Sequence, residues 1–132
     1  MLKKYYENVK TYGVENTVLL TPYRRAGSIC AIELNNEIQE HLNPVKPGEI
    51  EVKVVIHEVE DGSDFSYTTH FRTGDVVMML YNDNDVANGD VGVIESIGTN
   101  LVIHARFGNI KRCFFTTKLI IFIFSKSFTL CI

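Results

Sequence analysis

The chain has no surplus of positive charge. Its 13 Lys and Arg stand against 16 Asp and Glu, a formal net charge of −3. A free-standing nucleic-acid binder carries a basic footprint, so contact with a polyanion would have to come from a local patch or from other parts of a larger protein. Cysteine is sparse. Cys30, Cys113 and Cys131 are far apart and form no CxxC pair, which suggests neither a zinc site nor a disulfide framework and leaves reduced, cytosolic thiols as the simplest reading. No GxxxxGK[ST] occurs, so the chain encodes no phosphate cradle of that type. No apolar run has membrane-spanning length. The most apolar, "LIIFIFSKSFTLCI", has 14 residues interrupted by Ser125-Lys126-Ser127, short of the ~20 a spanning helix needs. "MLKKYYENVK" at the start lacks the apolar centre of a signal peptide. His41, His57, His70 and His104 fall on different elements without ligand spacing, and Ser28, Ser63 and Ser66 lack the context of a nucleophile elbow.

The 132 residues suit one ordinary domain. Leu2, Tyr5, Tyr6, Val9 and Tyr12 recur at helical spacing, and Gly13 is a stop signal. "TVLLT", residues 17–21, reads as a short buried strand, parallel because helices flank it. A loop, "PYRRAGS", leads to a second helix from about Ser28 to Leu42. Cys30, Leu34, Ile38 and Leu42 share one face of it, and Asn43-Pro44 ends it. Helix, strand, helix is a piece of an α/β layer, since one strand cannot make a sheet alone.

From residue 45 the period changes. "IEVKVVIHEVE" alternates as a strand does and is followed by a polar turn, "DGSD". "DVVMMLYN", "VGVIESIG", "LVIHARF" and "IKRCFF" are four further short strands punctuated by Gly and Asn. Turns about every ten residues point to a small barrel or sandwich. Within "NDNDVANGD", Asn88-Gly89 predicts a tight two-residue type I′ reversal. The Asp and Asn residues there do not match a calcium loop: counted from Asp83, the Gly and Glu positions hold Asn88 and Ile94. They read as turn formers.

Two groups of residues have both a functional and a plain reading. Arg24-Arg25 follows the first strand, where ligands of α/β sheets bind and a guanidinium fork can hold phosphate; the plain reading is a solvated loop. Lys111 and Arg112 with Phe114 and Phe115 can face a nucleic-acid backbone; the plain reading is an ordinary strand with an exposed face.

"VLLTPYRR", "ELNNEIQEHLNP", "FRTGDVVM" and "NGDVGVI" occur in this order. Together they resemble the C-terminal motor region of RecD-like superfamily-one DNA helicases, the exodeoxyribonuclease V alpha-subunit family. The likeness covers roughly residues 14–112. It implies a mixed α+β chain: residues 1–44 as a partial RecA-like motor segment, 45–70 as a connection with one strand, 71–115 as an inserted SH3-like barrel, and 116–132 as an atypical apolar tail. It further implies that Arg24 or Arg25 meets the ATP γ-phosphate, that the barrel lies along single-stranded DNA, and that the parent enzyme uses ATP and magnesium together with its remaining helicase domains. Among the barrel's basic residues, Arg72, Lys111 and Arg112 are the candidate nucleic-acid contacts. The chain itself would hold no cofactor or metal. The tail matches nothing in that family, so a truncated or frameshifted reading frame is expected. The alternative is a stand-alone SH3-like module that binds nucleic acid or protein without catalysis. Its nucleic-acid form requires Lys53, Arg72, Arg106, Lys111 and Arg112 to share a face. A third reading is a protein-interaction piece that uses the first α/β segment or the apolar tail.

Overall fold

The computed structural model describes residues 2–21, 31–60, 62–79, 82, 84–114 and 125–127. The chain is α+β. Helix α1 (Leu2–Tyr12) and a short 3-10 turn lead into strand β1 (Leu19–Thr21), and helix α2 (Ala31–Leu42) follows. Strands β2 (Val52–Glu60), β3 (Ser63–Phe71), β4 (Val76–Met78), β5 (Val91–Ile97), β6 (Ile103–Phe107), β7 (Ile110–Phe114) and β8 (Ser125–Ser127) complete it. Among the described residues no helix is long and apolar enough to cross a membrane.

Strand β1 is parallel, as its setting between helices suggests, and its partner is β8, with Leu19 opposite Ser125. The tail therefore supplies a strand that composition alone did not reveal. β1 is not the fully buried strand its apolar run implied: Leu20 is 60% exposed and the preceding Val18 46%. A two-stranded ribbon leaves a face open that a wider sheet would cover.

Residues 63–70, read from sequence as part of a turn and connection, form β3 together with Phe71, where the barrel is expected to start. It pairs antiparallel with β2 along its whole length, from Val52↔Phe71 to Glu60↔Ser63. Only residues 61 and 62 separate the paired ends, the spacing of a two-residue hairpin loop. Phe65, Tyr67, Thr69 and Phe71 alternate with Ser66, Thr68 and His70, a period of two in β-favouring residues. Phe71 is fully buried and Thr69 nearly so, opposite Val52 and Val54.

Strands β4 to β7 form an antiparallel meander in the order β4-β5-β6-β7. Among the described residues it is an open sheet. Alternation sets its two faces. Ile103, Ala105 and Phe107 of β6 are buried, while His104 and Arg106 between them are exposed. The buried face joins a single cluster that includes Tyr5 of α1, Ile38 of α2, Val52, Phe71, Val77, Met79, Val86, Ile94 and Phe114. Helices and sheet thus share one core.

The reversal at Asn88-Gly89 exists but is not type I′. Of the pair only Gly89 has positive φ, 96°. Asp90 N–H donates to Ala87 O, closing a four-residue turn that needs a positive φ at its third residue only. Gly89 N–H donates to the Met79 carbonyl and Asp90 O accepts from the Met79 N–H, so the bonds across the reversal reach back to Met79. Val86 lies in the core at 1% exposure.

A polar clamp and an exposed basic face as the candidate site

The most elaborate polar arrangement among the described residues lies where α2 meets the turn between β3 and β4. Residues 72–75 form a tight turn, with Asp75 N–H donating to Arg72 O and Gly74 at φ 94°. A positive φ at the third position is the type II requirement, and glycine meets it without strain. The turn places Asp75, wholly buried, beneath the end of α2. One Asp75 oxygen accepts from the Arg72 N–H (2.7 Å) and Gln39 Nε2 (2.8 Å), and the other from Asn43 Nδ2 (2.8 Å). Gln39 also donates to the His70 carbonyl and Asn43 to that of Thr73.

Arg72 turns the other way and grips the helix end. Its Nη1 donates to the Asn43 carbonyl at 3.0 Å, its Nη2 pairs with Glu40, and its Nε pairs with Glu51 at 2.6 Å. A guanidinium at a helix C-terminus also meets the negative end of the helix dipole. Glu51 holds His70 Nδ1 at 3.0 Å with its second oxygen. Burial works to raise the Glu51 carboxyl, but the hydrogen bonds from Arg72 and His70 outweigh it and hold the group below its ordinary range.

Burial pushes the Asp75 carboxyl up from its ordinary 3.8 to about 6, against the hydrogen bonds from Asn43, Arg72 and Gln39. Between those two values the folded protein holds a proton that the unfolded chain has lost. The proton-linked part of the Asp75 contribution is therefore complete below 3.8 and is lost as pH rises through about 6, while its hydrogen bonds persist. Glu51 acts in the opposite sense, but only below its ordinary 4.5. Wild-type protein should gain about 1 kcal/mol relative to Asp75→Asn on going from pH 7 to pH 5, since one pH unit of differential titration is worth 1.4 kcal/mol. Urea denaturation of both proteins at the two pH values measures this, and taking the difference cancels the histidines. Equal pH dependence in the two proteins would refute the assignment.

The clamp is closed chemically. The Glu40 and Glu51 carboxylates face the Arg72 guanidinium and the Asp75 carboxylate takes the neutral donors, so the group holds α2 onto the sheet. Arg72, a candidate DNA contact by sequence, sits inside it at 6% exposure. Arg112 projects on the same side of the sheet as buried Ala105, its cross-strand partner, and its Nη2 reaches Asp85 at 2.9 Å. Lys111 lies on the opposite, exposed face beside Arg106, its partner on β6. Adjacent residues of a strand point to opposite faces, so Lys111 and Arg112 cannot act on one surface. The structure therefore brings Lys111 and Arg106 together and separates both from Arg72 and Arg112. Arg24 and Arg25 lie outside the described residues.

The exposed face of β6 and β7 carries two neighbouring cross-strand pairs, His104↔Cys113 and Arg106↔Lys111. Arg106 Nε lies 3.8 Å from Glu95 and its Nη1 donates to the Gly108 carbonyl. Strand alternation could have placed Arg106 here from sequence. Gln39, Asn43 and Asp75 carry no such signal, because the helix and the turn that bring them together are more than 30 residues apart. Among the described residues no group of three or more His, Cys, Asp or Glu is arranged to hold a metal ion. No family model matches the chain, and no curated protein matches it.

Proposed function

We propose that this chain is a piece of a RecD-like, ATP-dependent DNA helicase that acts in the cytoplasm. It would contribute part of the second motor domain and a sheet beside the single-stranded DNA path. The observation that carries this reading is the clamp. "ELNNEIQEHLNP" and "FRTGDVVM", two of the four stretches behind the resemblance, supply Gln39, Glu40, Asn43, Arg72 and Asp75, which bind one another. A joint between a motor helix and an inserted sheet is what a shared pattern in those stretches would serve. In this reading Arg24 or Arg25 meets nucleotide phosphate in the parent enzyme, where ATP and magnesium are bound with other domains. The chain alone does not hydrolyse ATP, because it has no phosphate loop.

The DNA-facing residues of the proposal are Arg106 and Lys111, which share an open face, rather than Arg72 or Arg112. Fluorescence anisotropy with a labelled single strand tests it. Two phosphate contacts predict a five- to tenfold loss of affinity, roughly, between about 50 mM and 200 mM salt. The Arg106→Glu, Lys111→Glu double variant should lose most of the low-salt binding. Absence of binding at low salt, or binding indifferent to this variant, would remove the DNA role from this face.

A further inference from the structure

We infer that His104 and Cys113 form a thiol-modification site that takes small anionic disulfides. The two residues sit directly opposite each other on β6 and β7, on the exposed face of the sheet. Cys113 Sγ lies 3.1 Å from His104 Nδ1, a hydrogen-bond contact, and the thiol is free and exposed. With the ring proton on Nε2, Nδ1 accepts the S–H proton, so the imidazole is placed as a base for the nucleophile. The next cross-strand pair on the same face is Arg106↔Lys111. It lies two residues along each strand, at about 7 Å. Reactive cysteines occupy partly exposed, electropositive surroundings of this kind. The inference needs nothing from the helicase reading, because it rests on the pair and its neighbours alone.

The chemistry balances without a metal or a further oxidant. The Cys113 thiol passes its proton to His104 Nδ1. The thiolate attacks one sulfur of the incoming disulfide, forming a new S–S bond to Cys113 as the original S–S bond breaks. The departing thiolate takes the proton from the imidazolium or from water. Cys113 is oxidised to a mixed disulfide, and one half of the reagent leaves reduced as a thiol. The cations of Arg106 and Lys111 draw in carboxylate-bearing disulfides in preference to neutral ones. Glu95, 3.8 Å from Arg106 Nε, offsets part of that charge, which leaves Lys111 as the larger contributor.

The experiment uses the full chain with Cys30→Ser and Cys131→Ser, so that Cys113 is the only thiol. The probes are dithiobis(nitrobenzoic acid), an anionic disulfide, and hydroxyethyl disulfide, a neutral one. Intact mass should show one adduct, mapped to Cys113, formed faster than on a short peptide carrying the same cysteine. His104→Asn should slow the reaction by roughly tenfold at pH 7, less than the 10²–10⁴ of general-base catalysis in a closed site, because the pair is open to solvent. Lys111→Gln should slow the anionic probe and leave the neutral one unchanged, which a merely structural lysine would not do. A rate equal to that of the peptide, or one unaffected by His104→Asn in a protein with native circular dichroism, overturns the proposal. If His104→Asn does not fold, the comparison of wild type with peptide and of the two probes still decides it.

Discussion

Replacing Asp75 with alanine should destabilise the protein by roughly 2–5 kcal/mol, because three buried neutral donors lose their shared acceptor and each one left unsatisfied costs about 1–3 kcal/mol. For a domain whose total stability is about 5–15 kcal/mol, that approaches unfolding. The reason is specific. Asp75 is fully buried and is the common acceptor for three donors, the Arg72 N–H, Gln39 Nε2 and Asn43 Nδ2. Gln39 and Asn43 keep their bonds to the carbonyls of His70 and Thr73. Each still loses one of its two amide hydrogen bonds, and a buried donor left unsatisfied costs about 1–3 kcal/mol. Asp75→Asn should cost less, about 1–3 kcal/mol. It keeps the shape and one acceptor but sets an NH₂ against another donor. Reversing the Asn43 amide to relieve this would break its bond to Thr73. Glu40→Gln touches the same clamp from its outer edge, where the Glu40 side chain is 62% exposed. It should cost no more than about 1 kcal/mol, as solvent-exposed ion pairs do. Urea denaturation followed by circular dichroism measures all three. An Asp75→Ala protein within about 1 kcal/mol of wild type would mean that the clamp does not hold α2 to the sheet, since its removal would then leave no buried donor exposed to loss.

Gly92→Ala is the second large effect expected, at about 1–3 kcal/mol or more for forcing extra volume into a packed core. Gly92 pairs with Val77 on the core side of β5 and lies across from Phe107. A Cβ there would fall 2.6 Å from the Phe107 ring and 2.7 Å from the Arg106 carbonyl oxygen. The carbonyl belongs to the neighbouring strand and cannot yield without moving the sheet. The ring is 5% exposed and packs edge-on against Phe114, with centroids 6.2 Å apart, so it has no free space to enter. Here the absence of a side chain is what lets an aromatic ring cover the strand. Val93→Ala, one residue on and outside the core cluster's fully buried set, should cost less. Thermal unfolding of the two variants compares them. Gly92→Ala as stable as Val93→Ala would show that the Phe107 ring does not rest on this glycine.

Much of the secondary structure could be read from local patterns. The 3.6-residue spacing of Leu2, Tyr5, Tyr6 and Val9 marks α1, and the alternation of Ile103, Ala105 and Phe107 marks β6. Strand β3 is not legible in the sequence, because Asp64, Ser66, Thr68 and His70 give its segment the composition of a loop. The aromatic and threonine positions between them carry the period of two, but the pattern becomes plain only once β2 stands opposite. The form of the Asn88-Gly89 turn is hidden for a related reason. A type I′ turn suits a bare hairpin, but here Val86 lies in the core and Met79 bonds to both Gly89 and Asp90.

The candidate surface was legible only in part. Sequence identified Lys111 and Arg112 as a basic pair, and strand geometry then sent them to opposite faces. Arg72 reads from sequence as one of the basic residues of the barrel, a candidate DNA contact, yet the structure buries it. Nothing local indicates that Glu40 and Glu51 converge on it.

By itself the sequence determined the α+β class, the two helices and most strands of the meander, because these follow from the spacing of apolar side chains along a few consecutive residues. Tertiary structure alone decided that β8 pairs with β1, that Arg72 and Asp75 close a buried clamp on α2, and that Arg106 stands directly opposite Lys111. These depend on which distant segments meet and on which side of each strand faces the core. Hydrogen bonds and charge pairs across 30 residues of chain leave no periodic trace, whereas the burial of apolar side chains does.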